Sequence, residues 1–418
     1  MTTLQEILTL LILTKFIFES LVSFLNLKKV HQQKVSVPNC VEGYMDLPLW
    51  QKCTNYTIAK TNYGRIENLI STIFSLFLLF FILPFLYSKW EVWGSFGVWS
   101  SSIYTASFLI LIQQFSLPLD WYRQFKLEQR FGFNKQTIKL WISDKIKELV
   151  LGVVLIGIVL VLLHFLYAKL SLLTSEYWWV LAFVALFLFQ LFLMVLWPRL
   201  ILPLFNKLTP LEDQELVEKL QKLSQKTGFQ TKEILVIDGS KRSTHSNAFF
   251  TGFGKFRKIV LFDTLLKQLS YDEITSVVAH EIGHYKMGHI PKRLAISFFM
   301  GLLYFWFIDW LLNSAWFTSE LNLPKVFAGE LSPVLVFMIM FGGSITFWSS
   351  PISNFFSHKH EYEADLFAVS STGSADGLLS ALKKLSSENL SYPLPHRLVS
   401  VFYQSHPSLP QRDMNLNR

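Results

Sequence analysis

Two histidines and a glutamate stand at a spacing that can bind a metal ion and activate water. His280 and His284 are four residues apart, and Glu281 directly follows the first of them, in the sequence HEIGH. Because an α-helix returns to the same face after about 3.6 residues, the two imidazoles would lie side by side. Neutral imidazoles bind Zn²⁺, and a neighbouring carboxylate can accept a proton from zinc-activated water. The pattern predicts a metallopeptidase site that still needs a third protein ligand.

The acidic segment EYEAD offers that ligand. Glu361 opens the segment, and Asp365 follows one helical turn later, where it could accept a hydrogen bond from a ligand imidazole. Glu363 and Asp365 are the alternative ligands, and without HEIGH the segment would be interpreted as a solvated acidic face. A pattern with a third histidine fails, because its positions hold Met287 and Ile290, and His289 is one residue out of position and on the wrong face.

Three further residues could contact a substrate. His406 and Arg412, in the C-terminal HPSLPQR, offer a donor and a fixed cation that could stabilise an oxyanion or hold a substrate carbonyl. Asn247 could donate to a substrate backbone or cap a hairpin turn. Taken alone, a histidine before a proline in a polar tail is more often simply exposed.

The composition indicates a membrane protein with seven crossings. Of the 418 residues, 51% are hydrophobic and 16% are charged. A helix needs about 18 or more apolar residues to cross a bilayer. The segments that approach or exceed this length are roughly Ile7–Leu27, Leu69–Tyr87, Val98–Leu117, Leu149–Tyr167, Tyr177–Trp197, Leu294–Phe317 and Leu331–Phe356. The first lacks a basic leader and a small-residue cleavage site, so we expect it to be retained.

The basic residues alternate between the loops. Three loops hold a single one each, Lys89, Lys169 and Lys325, whereas the loops between them and the tail hold several. The positive-inside rule therefore puts the N-terminus outside and HEIGH in the cytoplasm. The net charge of +8 fits basic loops against anionic lipid and requires no nucleic acid. Cys40 and Cys53 fall in an inside loop, where we expect free thiols.

We divide the chain into four parts. Residues 1–197 hold helices 1–5 and two cytoplasmic loops, and residues 198–293 form a zinc-protease module. Residues 294–356 hold helices 6 and 7, and residues 357–418 form a cytoplasmic segment with the third ligand and substrate contacts. In the second cytoplasmic loop of the first part, the segment Asp120–Asn134 is predicted to be an interfacial amphipathic helix, with direct substrate contact as the alternative.

The module is predicted to contain helix, strand, hairpin and helix. The helix is Leu211–Lys226, the strand is Glu233–Ile237, and the hairpin is Asn247–Phe262, turning through Gly252 and Gly254. Ser270 and Glu273 form a capping box for the helix that holds HEIGH, and Gly288 ends it. The hairpin could give an extended peptide a sheet edge to bind.

Together, HEIGHYKMGH, EYEAD, HSNAFFTG with KIVLFDTLL, PLFNKLTPL and HPSLPQR resemble the type I CAAX prenyl proteases, which are integral-membrane zinc endopeptidases. The resemblance implies an all-α multi-pass fold, in which seven transmembrane helices form a hollow α-barrel around a water-filled chamber. A cytoplasmic, gluzincin-type α+β metalloprotease module completes it. It also implies one Zn²⁺ per chain, bound by His280, His284 and Glu361, with Glu281 as general base.

By the same resemblance, Asn247, His406 and Arg412 correspond to substrate-backbone and oxyanion contacts. Asp365 is predicted to orient one of the metal-binding histidines by accepting a hydrogen bond from it. We therefore predict a zinc metalloendopeptidase that removes the C-terminal tripeptide of prenylated CaaX-type proteins.

We expect its partners to be a peptide or prenylated protein and the lipid bilayer, with no nucleic acid, and the chain to act as a monomer. The membrane would be the endoplasmic reticulum or a bacterial inner membrane. A quality-control metalloprotease related to heat-shock proteases is the alternative enzyme. A transporter would require inverted repeats and broken helices, which the sequence lacks, and an inactive scaffold could be free of zinc.

Overall fold

The computed structural model describes residues 1–94, 96–174, 176–229, 231, 233–251 and 257–417. The helices in chain order are α1 (Thr3–Gln33), α2 (Leu47–Trp93), α3 (Val98–Phe131), α4 (Ile138–Leu173), α5 (Trp178–Phe205), α6 (Gln214–Thr227), α7 (Asp263–Gln268), α8 (Tyr271–Lys286), α9 (His289–Leu312), α10 (Phe317–Glu320), α11 (Leu331–Thr372), α12 (Asp376–Glu388), α13 (Arg397–Tyr403) and α14 (Leu409–Leu416). Short π- or 3₁₀-helical segments interrupt α2, α3, α5 and α11. As predicted, the described part of the chain has seven helices that are long and apolar enough to cross a membrane: α1 to α5, α9 and α11.

The membrane helices form a closed ring. Helix α1 packs on α2, α3 on α4, α4 on α5, α5 on α9, α9 on α11, and α11 returns to α1. Stacked rings of Phe74 and Phe115 join α2 to α3. In the most apolar stretch of α1 to α5 and α9, at most 22% of residues are buried. Because a helix in a solid bundle buries a stripe at least about 100° wide, the ring is a hollow barrel, as expected.

An apolar core closes one end of this barrel. It joins the ends of the ring helices, through Tyr87, Trp178 and Ile308, to the connection between α9 and α11, through Phe317 and Phe327. Large aromatic side chains contribute to it alongside a majority of aliphatic ones. The opposite end of the barrel is the one that carries the α+β module.

Two smaller predictions about the barrel and its loops are confirmed. Lys15 and Glu19, inside the first crossing, pair at 3.6 Å, which offsets part of the cost of placing charges in a membrane helix. Cys40 is an exposed free thiol and Cys53 is a buried one.

The module contains a four-stranded sheet. Its strands are β1 (Leu208–Pro210), β2 (Glu233–Ile237), β3 (Ala248–Thr251) and β4 (Lys258–Phe262), in the order β1-β2-β4-β3. Strands β2 and β4 are parallel, and the other pairs are antiparallel. The predicted hairpin is confirmed as β3 and β4, and its turn through Gly252 and Gly254 lies outside the described residues. Strand β1 and the parallel pairing of β2 with β4 were not predicted from the sequence.

One apolar core holds the module together and reaches into the C-terminal part of the chain. It packs Ile259 of β4 and Val278 of α8 against Ala368 of α11 and Leu378 of α12. Helix α11 therefore belongs to the barrel at its start and to the module at its end. This arrangement lets a membrane helix deliver side chains to the site on α8. The four-part division of the chain stays a prediction.

The Asp120–Asn134 segment ends against the module. The Phe133 ring stacks on His245 with 4.2 Å between centroids, and Asn134 forms an isolated β-bridge with Ser243. The C-terminal end of this segment therefore fastens the module to the barrel. Its predicted roles at the membrane surface or in substrate contact stay predictions.

Candidate metal centre and active site

Helix α8 carries the HEIGH residues, and its ends are fixed by local sequence. The predicted capping box is confirmed: the Glu273 backbone N–H donates to Ser270 Oγ, and the Ser270 N–H donates to Glu273 Oε2 at 2.7 Å. Burial opposes ionisation of Glu273, but hydrogen bonds from Lys384, Ser380 and Ser270 lower its pKa to about 2. Glu273 thus caps the start of α8 and also binds it to α12, through Ser380 and Lys384.

Three donor side chains converge beside α8. His280 Nε2 and His284 Nε2 are 3.2 Å apart, His284 Nε2 is 3.2 Å from Glu361 Oε1, and His280 Nε2 is 3.5 Å from Glu361 Oε2. His280 and Glu361 are 6% and 1% exposed. Burial of a carboxylate between two imidazoles favours a cation at their centre. The structure thus brings the three predicted ligands together, and they can hold one metal ion.

A glycine allows α11 to approach α8 this closely. A Cβ added to Gly283 would lie 3.0 Å from both the Cα and the carbonyl oxygen of Ala364, and 3.2 Å from Phe367 Cβ. Those distances are shorter than ordinary carbon contacts. Gly283 therefore sets the separation of the two helices, and through it the distance from Glu361 to the histidines.

A buried ion pair supports the first histidine from behind. Asp365 is fully buried, and its Oδ1 is 2.8 Å from His280 Nδ1. Arg412, on α14, donates to both Asp365 oxygens, from Nε at 2.8 Å and from Nη2. Burial opposes a charge on His280, but hydrogen bonds to Asp365 and Glu361 outweigh it and raise its pKa to about 9. Arg412 thus acts on Asp365 here, and its predicted substrate contact stays a prediction.

Glu281 follows His280 directly, and its carboxyl group is suited to proton transfer. Burial raises its pKa, and the neighbouring Glu361 carboxylate adds to this, while His280 and His284 act in the opposite direction. A carboxylate with a raised pKa binds a proton more readily near neutral pH than an exposed one. This is the property that a general base requires.

His406 and Asn247 occupy different parts of the site. His406 Nδ1 is 2.8 Å from Glu361 Oε2, and its side chain is 65% exposed, so it lies at the open side of the centre. Asn247 precedes β3, and its Oδ1 accepts from the Ala248 N–H at 2.9 Å. This contact lies at the start of β3, away from the hairpin turn that follows Thr251, so it is not the turn-capping interaction named as one of its two alternatives. Donation from Asn247 to a substrate backbone stays a prediction.

The contribution of His289 was not predicted from the sequence. His289 was predicted to lie on the wrong face, but α8 ends at Lys286, close to the predicted stop, and Gly288 adopts the left-handed conformation with φ 68°. The chain reverses there, and His289 Nδ1 comes to 2.9 Å from His284 Nδ1. A glycine at a helix end was the only local signal of this reversal.

Comparisons with known proteins agree with this architecture over the whole chain. Residues 26–207 match the family described as CAAX prenyl protease N-terminal, five membrane helices, and residues 210–418 match peptidase family M48. The CAAX prenyl protease 1 of Saccharomyces cerevisiae is 33% identical, covering 96% of this chain and 92% of the relative. A CAAX prenyl protease 1 homolog of Arabidopsis thaliana is 34% identical, covering 95% and 93%.

The fold is likewise that of a solved structure. The crystal structure of S. mikatae Ste24p is 31% identical in sequence and superposes with a TM-score of 0.88, covering 99% of each chain. The fold class, the multi-pass membrane architecture and the metallopeptidase prediction are confirmed. This chain therefore belongs to peptidase family M48 and, within it, to the type I CAAX prenyl proteases.

Proposed function

We propose that the metal of this peptidase is zinc, one ion per chain, held by His280, His284 and Glu361. The supporting observation is the clustering of the donor atoms: the two Nε2 atoms are 3.2 Å apart, and each lies 3.2 or 3.5 Å from one of the two oxygens of the Glu361 carboxylate. A tetrahedral zinc with bonds of about 2.05 Å has edges of about 3.3 Å between its ligand atoms. Two imidazoles and one carboxylate leave the fourth position of such a site open to water.

In the proposed mechanism, side chains of this protein transfer the protons and stabilise the developing charge. A bound zinc ion would polarise the scissile carbonyl and lower the pKa of water. Glu281 accepts the proton of the attacking water and delivers it to the leaving amine. His406, beside Glu361 on the open side, stabilises negative charge that develops on the scissile oxygen. Asp365 keeps the proton of His280 on Nδ1, so that Nε2 faces the metal.

The substrate backbone binds along β3. This strand is at the edge of the sheet and pairs only with β4 among the described residues. An extended peptide can add to such an edge through main-chain hydrogen bonds. Asn247, which directly precedes β3, would contact that peptide, as would Arg412 if it moved from Asp365.

The substrate class is a CaaX-type protein with a prenylated cysteine, from which the enzyme removes the C-terminal tripeptide. Whole-chain likeness to proteins named CAAX prenyl protease 1 supports this class. The site faces the cytoplasm and the N-terminus lies outside, which the alternation of basic loops supports. The quality-control protease remains the second candidate, because a hollow barrel with an exposed edge strand would also admit unprenylated segments.

Matched peptides separate the two candidates. The purified protein is given farnesylated and unprenylated CaaX peptides of one sequence, each with and without a zinc chelator. We expect cleavage of the farnesylated peptide only, and its loss with chelator. Equal cleavage of both peptides would favour the quality-control function, and chelator-resistant cleavage would refute the metal mechanism.

A further inference from the structure

His289 is the most deeply buried imidazole beside the metal centre that the mechanism does not use. It is 1% exposed, and both of its ring nitrogens have partners. Its Nδ1 lies 2.9 Å from His284 Nδ1, and its Nε2 lies 2.9 Å from Glu363 Oε2. His284, His289 and Glu363 therefore form a continuous chain of hydrogen bonds leading away from the metal centre.

The positions of the protons in this chain follow from its geometry. His284 Nε2 points at His280 Nε2 and Glu361 Oε1, both at 3.2 Å, so its lone pair faces the metal position. A neutral imidazole then carries its proton on Nδ1. That proton is donated to His289 Nδ1, which leaves the His289 proton on Nε2. Nε2 donates in turn to Glu363, and every group in the chain is satisfied.

The two histidine ligands are thus supported in different ways. His280 donates directly to the Asp365 carboxylate at 2.8 Å. His284 reaches its carboxylate through a second imidazole. Metal-bound histidines usually donate their other N–H to a carboxylate or a backbone carbonyl, which fixes the tautomer and the ring orientation. His284 also donates its other N–H, but it reaches the Glu363 carboxylate through one additional residue, His289.

The fold holds His289 in this orientation. Gly288 reverses the chain between α8 and α9, so that His289 begins the membrane helix and turns back towards α8. Its ring stacks on His360 with 4.0 Å between centroids and an angle of 17° between planes. Glu363 and His360 both belong to α11. The hydrogen-bonded series His284–His289–Glu363, called the relay below, therefore connects a ligand on α8 to the membrane helices α9 and α11.

We infer that His289 is a positioning residue that fixes the tautomer and ring orientation of His284, with Glu363 as the terminal acceptor of the relay. The inference rests on the proposed metal role of His284. It assigns His289 and Glu363 to the support of the metal site, where Glu363 had been an alternative ligand.

A second metal site is the competing explanation of the same residues. Donor atoms of His289, His360 and Glu363 lie within 4.8 Å of one another, and His360 Nδ1 is buried without a hydrogen-bond partner among the described residues. However, His289 and His360 are stacked nearly parallel, so their in-plane lone pairs do not converge on one ion. Lys359 also lies 4.0 Å from Glu363 and opposes a cation there. We therefore favour the relay.

The test is the zinc dissociation constant of the full-length protein in detergent, measured by competition with a chromogenic chelator. His289→Leu removes the acceptor for His284 and should raise the constant about 10- to 100-fold. His289→Asn can place an amide oxygen near the position of Nδ1 and should recover much of the loss. Glu363→Gln, which keeps an acceptor oxygen but loses the charge, should raise the constant less than His289→Leu.

His360→Phe is the matched control, because it keeps an aromatic ring in the stack and removes the third donor of a second site. We expect parental zinc content and affinity from it. Loss of a second zinc equivalent in this variant would overturn the relay in favour of a second metal site. Parental affinity in both His289→Leu and Glu363→Gln would also overturn it. If the parent binds zinc but cleaves no peptide, the proposed function fails while the relay is still tested by affinity.

Discussion

Gly283→Ala tests whether close packing of α8 on α11 creates the metal site. The new Cβ would meet Ala364 Cα and O at 3.0 Å and Phe367 Cβ at 3.2 Å. The first two partners are backbone atoms, so the strain cannot be relieved by a side-chain rotation, and the helices must separate by a few tenths of an ångström. Zinc sites tolerate ligand displacements of only about 0.2 Å. The substitution should therefore weaken zinc binding even if the protein folds.

The expected magnitude follows from the cost of overpacking. Inserting a methyl group into a tightly packed contact costs about 1–3 kcal/mol. If this cost is set against zinc binding, the zinc dissociation constant rises roughly 5- to 150-fold, because about 1.4 kcal/mol corresponds to a factor of ten. The assay is chelator competition with purified protein, together with peptide cleavage at saturating zinc.

Gly342→Ala is the matched control, since Gly342 lies on α11, the same helix as Glu361. Nothing lies within 4 Å of a Cβ added there. We expect parental zinc affinity and unchanged or slightly higher stability, because alanine favours a helix over glycine by about 1 kcal/mol. Equal zinc affinity in the Gly283→Ala and Gly342→Ala proteins would refute the packing argument.

Three further predictions address the third ligand, the α8 cap and the orientation. Glu361→Ala should purify with little zinc, and parental metal content by elemental analysis would make Glu363 or Asp365 the candidate ligand. Glu273→Gln should cost roughly 1–2 kcal/mol at pH 7. Because the folded-state pKa of Glu273 is lowered to about 2 from 4.5, its contribution is complete above pH 4.5 and is lost as the pH falls towards 2. The Tm difference from the parent should accordingly narrow over that window, and equal Tm values at pH 7 would contradict it. The exposed Cys40 thiol should react with a membrane-impermeant maleimide only from the cytoplasmic side, with Cys40→Ser as the control; labelling from outside would reverse the proposed topology.

The parts of the fold that were predicted correctly depend on local sequence. Length and apolarity define the seven membrane helices, and the four-residue spacing puts His280 and His284 on one face of α8. The capping box of Ser270 and Glu273 is also a short-range pattern. None of these features requires knowledge of where distant segments meet.

The parts that were missed depend on contacts between distant segments. Strand β1 has three residues and ends at Pro210, so it offers no alternation to detect. Glu361 was predicted as the third ligand, but the close approach of α11 to α8 at Gly283, which brings Glu361 to the histidines, was not. The contact from His289 to His284 depends on a reversal at Gly288 that brings a residue out of helical phase back to the site.

The most direct test of the central proposal compares Glu281→Gln with the parent, with zinc content and peptide cleavage measured on the same preparations. The glutamine keeps the shape of the side chain but cannot accept the proton of the attacking water. Both proteins should carry about one zinc per chain, and cleavage by Glu281→Gln should fall by several orders of magnitude. Near-parental cleavage by a zinc-loaded Glu281→Gln protein would contradict the assignment of Glu281 as the general base and, with it, the proposed mechanism.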